Sequence, residues 1–340
     1  MSKIFLASEK IKIEKVKQSS DLFSQPAKDK GEYKSKKYDF CLPTEYAYEN
    51  LFEEIRISAL GLFLLNGIKW HDGHGGLPST HLCDSQVSCV NFLLPFADKP
   101  DALKDLLEPI FPGIQEMLPV EHGLFVSFEW IGAKNYLNEK IRKGTKRTRG
   151  ANFTSADAIV RFRREDGTVQ VVLIEWKYTE SYTSTFIKRS KSGTDRSSIY
   201  KLLFEASDCP VSKKLLPHYD DLFYEPFYQF TRQQLLAYEM EKGKELEADA
   251  VSVLHISPKH NTDFKFITSP KLQPMGNSAT EVWKKLLITP DKFLSVNTED
   301  LFGKYDVLKH PELVPWKKYI DTRYFWINEN LSINNRKSTI

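Results

Sequence analysis

Residues 153–178, FTSADAIVRFRREDGTVQVVLIEWKY, constrain the fold more than any other stretch of the chain. Two apolar, β-branched runs flank Arg164-Glu165-Asp166-Gly167, the pattern of two adjacent antiparallel strands joined by a turn. Alternate residues of a strand share a face. Val171, Leu173, Glu175 and Lys177 therefore project one way, and Val172, Ile174 and Trp176 the other. A strand apolar on both faces belongs inside a sheet covered on both sides. Yet Asp157, Glu175 and Lys177 fall within these runs, and buried charges require partners or a metal.

The 340 residues can bury a substantial core, as one large domain or two modest ones. A net charge of only +3 means that any affinity for nucleic acid must come from local clusters. Cys41, Cys83, Cys89 and Cys209 form no CxxC pair, as expected of reduced thiols in a cytoplasmic protein. The lysine-rich N-terminus has no apolar segment of a secretory signal. The longest apolar stretch, 57–68, is too short to cross a bilayer. These features predict a soluble protein without membrane association.

Residues 1–37, with ten lysines, read as a flexible basic arm with at most one short ordered piece. Residues 38–120 read as a helical part packed on the core. Pro43 and Thr44 open a helix over about 44–66, with Leu51, Ile55, Ala59, Leu62 and Phe63 at helical spacing and Gly67 as terminator. A second helix covers 85–96, capped by Asp84 or Ser85, and a third covers 100–118, broken near Pro109 and Pro112. Between them, the loop 70–81 holds His71, His74 and His81, with Cys83 and Asp84 beyond. Such a group admits a structural zinc, or a Gly-rich loop with satisfied or exposed histidines. Residues 124–132 alternate like the first strand of the core sheet. A helix follows Pro226 and ends at Gly243. A buried strand spans 250–256, a short strand 293–296 and a closing helix 316–326. The predicted fold is a mixed α/β sandwich, with a core at 121–257 and a C-terminal extension, 258–340, of the same domain.

Two basic tracts bracket the charged strands. One is 140–150, with Lys143, Lys146, Arg147 and Arg149; the other follows from Lys188 and Arg189. Either a solvated loop or a phosphate-binding surface has this composition. Two carboxylates brought together in a sheet repel unless a cation neutralises them. Mg²⁺ suits oxygen ligands and keeps waters or phosphates in its remaining positions. A nearby lysine can orient the attacking water and stabilise charge on a phosphate.

Asp157, followed eighteen residues later by Glu175-Trp176-Lys177, resembles the D…(D/E)xK signature of the restriction-endonuclease-like PD-(D/E)xK nucleases. The proline of that motif is Ala156 here. The resemblance implies an α-β-β-β-α-β core with a small mixed sheet, and a DNA endonuclease dependent on Mg²⁺ or Mn²⁺. Asp157, Glu175 and the main-chain carbonyl of Trp176 would bind the metal, and Lys177 would act on the water. Gln234 and Tyr238, four apart on the helix after Pro226, resemble the Q-x-x-x-Y element of RecB-type members, which implies Gln234 as a catalytic residue and Tyr238 as a supporting one. An acid on a preceding helix often completes the site, for which Glu54 and Glu116 are the options. The segment 81–91 also resembles a stretch in an uncharacterised group of restriction endonucleases, which would turn Gln86 toward the site. Many such nucleases form homodimers, although nothing in the sequence marks a dimer face. The same fold without hydrolysis would give a nucleic-acid-binding or assembly protein.

Overall fold

The computed structural model describes residues 4–139, 146–151, 153–191 and 193–328. The chain begins with α1 (Ile4–Ser19) and a hairpin, β1 (Gly31–Tyr33) and β2 (Lys36–Tyr38), then α2 (Arg56–Leu65), α3 (Ser85–Leu93) and α4 (Pro100–Leu107). The strands β3 (Ile114–Leu118), β4 (Val126–Trp130), β5 (Ala156–Arg164) and β6 (Val169–Trp176) come next. They are followed by α5 (Arg196–Glu205), α6 (Phe227–Lys242), β7 (Ala250–Ser257), α7 (Ala279–Leu286), β8 (Phe293–Asn297) and α8 (Val314–Arg323).

Six of the strands form one mixed sheet. β5 and β6 are antiparallel, while β6, β7 and β8 run parallel. β3 and β4 lie end to end along the other edge of β5: β4 pairs with residues 156–160 and β3 with 161–164. Helices cover both faces, which is why β6 is buried along its whole length. Val172, Ile174 and Trp176 join the core beneath α3 and α8, whereas Val171 and Leu173 join the core beneath α6 and α7. The period-two reading of this strand therefore describes two separate apolar layers.

Local chemistry accounts for the helix ends. The Asp84 side chain accepts the amide of Val87 and so caps α3. α2 stops where Gly67 adopts φ +60°, while Ile68 N reaches back to Phe63 O at 2.8 Å. The expected 44–66 helix is interrupted: 3₁₀ turns at Thr44–Asn50 and Glu53–Ile55 precede α2. The expected third helix ends at Leu107, and 114–118 is instead strand β3, because Pro109, Pro112 and Gly113 prevent continuation.

The N-terminal segment departs most from expectation. In place of a flexible arm, α1 buries Phe5, Glu9, Ile13 and Lys17. The Lys17 ammonium is fully enclosed and donates to the carbonyls of Asp29, Asp39 and Cys41 at 2.6, 3.0 and 2.6 Å. Those carbonyls flank the hairpin, so one buried cation ties α1 to the base of β1–β2. Composition hides this, because lysine is ordinarily a surface residue. Lys17→Met should leave three enclosed carbonyls without that donor and cost roughly 3 kcal/mol or more. A denaturant midpoint equal to that of the native chain would show that the ammonium does not hold the segment.

Candidate metal and catalytic centre

Ladder register brings three acids into one row. Phe128 pairs with Ala158 and Trp130 with Ala156, placing Glu129 across from Asp157. Ala158 pairs with Ile174, so one step further along the same antiparallel register Asp157 stands across from Glu175. The row Glu129–Asp157–Glu175 thus crosses β4, β5 and β6 at one end of the sheet. It opens on a cleft of about 500 Å³, lined by Glu129, Asp157, Trp176 and Lys177 among others. Glu175 lies one layer deeper and is 2% exposed.

Each acid has defined partners. Asp157 Oδ2 accepts the amide of Trp176 at 2.7 Å. Glu175 accepts from Lys177 Nζ at 2.5 Å on one oxygen and from Gln233 Nε2 at 2.7 Å on the other. Glu129 accepts from Gln86 Nε2 at 2.6 Å and from Ser155 Oγ at 2.7 Å. Glu129 reaches this position through a left-handed backbone, φ +51° within a strand, a conformation that costs a non-glycine residue free energy. Arg149 steadies it: its Nε donates to the carbonyls of Phe128 and Glu129 at 3.0 and 3.2 Å, while Nη1 pairs with Glu121.

The electrostatics follow from enclosure. Loss of hydration, followed by the neighbouring Glu175 charge, raises the Asp157 carboxyl to about 8. Loss of hydration and the Asp157 charge raise Glu129 to about 7. Burial also raises Glu175, against the pull of Lys177. For Lys177 burial opposes the ammonium, but Glu175, Tyr182 and Asp157 outweigh it and hold the proton well above the ordinary lysine range. A lysine so charged cannot take a proton from water; it serves as a donor and a counter-charge.

Among the described residues, no group of three or more His, Cys, Asp or Glu side chains stands ready to hold a metal ion. Lys177 and Gln233 engage Glu175, and Gln86 and Ser155 engage Glu129. The donor set nonetheless fits a hard divalent cation, because enclosed carboxylate oxygens are its preferred ligands.

Several expected residues lie elsewhere. Glu54 is exposed and lines a separate groove, and Glu116 pairs with Arg163 at 3.1 Å on β3. The missed acid, Glu129, had a signal in its place within the alternating run 124–132. Gln86 does face the site. On α6 the residue that reaches Glu175 is Gln233; Gln234 is buried with its Oε1 unpaired, and Tyr238 carries Lys242 over its ring at 5.3 Å. One residue along a helix rotates a side chain by about 100°, which separates Gln233 from Gln234.

Arg147 and Arg149 are occupied structurally. Arg147 donates to the carbonyls of Gly132 and Ile131. Lys188 pairs with Asp220 at 3.0 Å, while Lys146 and Arg189 are exposed; Lys143 lies outside the described residues. The loop histidines do not converge either. The His81 ring sits between Tyr33 and Phe40 and accepts the Cys83 amide on Nδ1, and burial lowers it to about 4.

With this geometry established, comparison with known families gives one finding. Over residues 12–325 the sequence matches the family described as Restriction Endonuclease associating with ARP. The chain belongs to that family. Comparisons with curated proteins and with solved structures returned no match. Membership in a restriction-endonuclease family suggests a nuclease acting on DNA. Among the described residues, no helix is long and apolar enough to cross a membrane.

The raised acids of this endonuclease-family site predict how stability depends on pH. Asp157 ordinarily titrates near 3.8 and here near 8, and Glu129 ordinarily near 4.5 and here near 7. Across that interval the folded chain retains protons that the unfolded chain has released, so stability without metal falls as pH rises from about 4 to about 8. A divalent cation held by these carboxylates would take the place of those protons, so millimolar Mg²⁺ is expected to raise the thermal midpoint most above pH 7. Midpoints with EDTA and with Mg²⁺ test this; curves of identical shape would contradict it.

Proposed function

We propose that this chain is a metal-dependent DNA endonuclease that hydrolyses phosphodiester bonds at the Glu129–Asp157–Glu175–Lys177 centre. The observation that carries the reading is the row of three carboxylates, two buried and Asp157 partly buried, with one buried lysine, aligned by strand register beside an open cleft. Chain order is compatible with it: α3, β4, β5, β6, α6 and β7 give an α-β-β-β-α-β succession once α4 and β3, between α3 and β4, and α5, between β6 and α6, are counted as additions. Family membership supports it independently.

Asp157, Glu175 and the main-chain carbonyl of Trp176 would hold Mg²⁺ or Mn²⁺, with Glu129 as the further acid. When bound, such a cation supplies a more acidic water and neutralises charge on the phosphate. Lys177, kept as an ammonium by its acidic neighbours, would donate to the attacking water and to the phosphate oxygens. Gln233 holds Glu175 from the α6 side and also donates to Ser155 O at 2.5 Å, fixing the start of β5 against the helix. Gln86 orients Glu129 and at the same time accepts the His71 amide at 2.7 Å, which joins the mouth of the cleft to its floor.

Purified protein should nick or cut DNA with Mg²⁺ or Mn²⁺ and lose this activity in EDTA. Asp157→Ala and Lys177→Ala should each lower cutting by 10³-fold or more, in line with removal of an essential electrostatic group, and Glu129→Gln should weaken metal dependence. Undiminished cutting by the Asp157 and Lys177 variants would sink the reading. Salt-dependent, metal-independent binding without cutting would favour a binding protein built on the same fold.

A further inference from the structure

The basic residues nearest the acidic row cannot all serve a substrate, because Arg147 and Arg149 are spent on backbone carbonyls and on Glu121. A different set of cations lies on the hairpin whose Tyr33 lines the cleft. Tyr33, at the end of β1, lines the same cavity as Asp157 and Lys177. Lys36 pairs directly with Tyr33 in the hairpin register, and directly paired residues share one face. Lys36 therefore projects from the same face of the hairpin as Tyr33, which lines the cleft, while Lys34 lines an adjoining groove with Tyr33 and Asp72. Between them, Lys34 and Ser35 both adopt left-handed backbone, with φ of 50° and 62°. That is the tight two-residue turn for which Asn-Gly is the easier choice.

The tip 33–37 reads YKSKK, three lysines and no acid. Lys34, Lys36 and Lys37 are all exposed. Lys34 lies over the Tyr33 ring at 4.7 Å and approaches Asp72 at 3.5 Å; the Tyr33 hydroxyl donates to the same carboxylate at 2.5 Å. Lys36 and Lys37 form no ion pair among the described residues. Lys37 shares the opposite face with Glu32.

The fold holds this tip firmly, although an isolated two-stranded hairpin is marginal in water. Lys17 binds the carbonyls at its base. Thr80 Oγ1 donates to Glu32 O at 2.8 Å. Gly31 sits so close to the next segment that an added Cβ would fall 1.9 Å from Leu42 O. α1 is fixed in turn to the site strand, because the Tyr178 hydroxyl donates to Glu9 at 2.9 Å. A rigid, lysine-tipped hairpin beside an acidic cleft supplies cations where a polyanion approaching that cleft must pass.

We infer that the β1–β2 hairpin is a phosphate-binding lip: Lys34 and Lys36, set by the Tyr33–Asp72 contact, grip the backbone of the DNA strand that enters the cleft. Lys34 exchanges its contact with Asp72 for a phosphate oxygen, and Lys36 takes an adjacent phosphate. This assignment rests on the nuclease reading for its substrate but concerns binding, which is measured without metal.

The test uses the full chain and a labelled 20-base-pair duplex in EDTA, titrated by fluorescence anisotropy at several salt concentrations. The double variant Lys34→Ala/Lys36→Ala should bind roughly ten-fold more weakly, and its slope of log affinity against log salt should be shallower by about 1.8, two phosphate contacts at about 0.9 each. The control Lys304→Ala/Lys309→Ala, at two exposed lysines that line a separate groove, removes the same charge and should leave the slope within error. Native-like affinity and slope in the double variant overturn the lip, whatever the cleavage result, and so does a native chain that binds no duplex. A lip-dependent slope in a chain that never cuts DNA with Mg²⁺ would leave the lip standing while removing the nuclease reading.

Discussion

Three carboxylates share one row of the sheet with a single ammonium to balance them. If all were ionised, Glu129, Asp157 and Glu175 would outnumber Lys177 by two charges where Glu129 and Glu175 are buried and Asp157 is partly buried at the cleft wall. The structure answers in part by hydrogen bonds, from the Trp176 amide, Gln233, Gln86 and Ser155, and in part by holding Asp157 and Glu129 near neutral protonation. Neither removes the repulsion at high pH. A divalent cation would, since carboxylate oxygens are the ligands it prefers. Much of the surrounding architecture can be traced to keeping this unfavourable arrangement in place.

β4 carries the clearest cost. Its left-handed residue is a glutamate, where glycine would be easier, and an arginine from the basic tract holds the adjacent carbonyls. Residues whose composition suggested a phosphate-binding loop are thereby drawn into supporting the acid. The row also continues into the parallel half of the sheet, with Glu175 beside His255 and His255 beside Ser295. Burial, then Lys177, keeps His255 well below its ordinary range and thus neutral, stacked on Phe264 at 4.6 Å. A neutral ring there adds no second cation to compete with Lys177 for Glu175.

Legibility in the sequence followed the range of the interaction. β5 and β6 were readable because period-two alternation and a turn signal are local, and Asp157 and Glu175 came with them through register. Gln233 was hidden by the Gln233-Gln234 doublet: only the rotation of α6 about its axis decides which amide meets Glu175. Glu129 lay in a stretch correctly read as strand, but its approach to Asp157 depends on a positive φ that alternation does not encode. α1 was misread because Lys17 and Glu9 are polar positions that succeed in the interior only through partners far along the chain, Asp39 and Cys41 for one and Tyr178 for the other.

Those distant partners bear on how the site is assembled. Tyr178 is the residue after Lys177, and its hydroxyl is held by Glu9 of α1, while its carbonyl accepts from Asn261 at 2.8 Å. The backbone leaving β6 is therefore fixed from both sides just beyond the lysine. Trp176 adds a third constraint, since its ring packs at 4.9 Å from Phe92 and its indole N–H reaches Ser88 on α3. Glu175 and Lys177, on the opposite face, inherit this rigidity through a backbone that cannot rotate without disturbing the apolar layer.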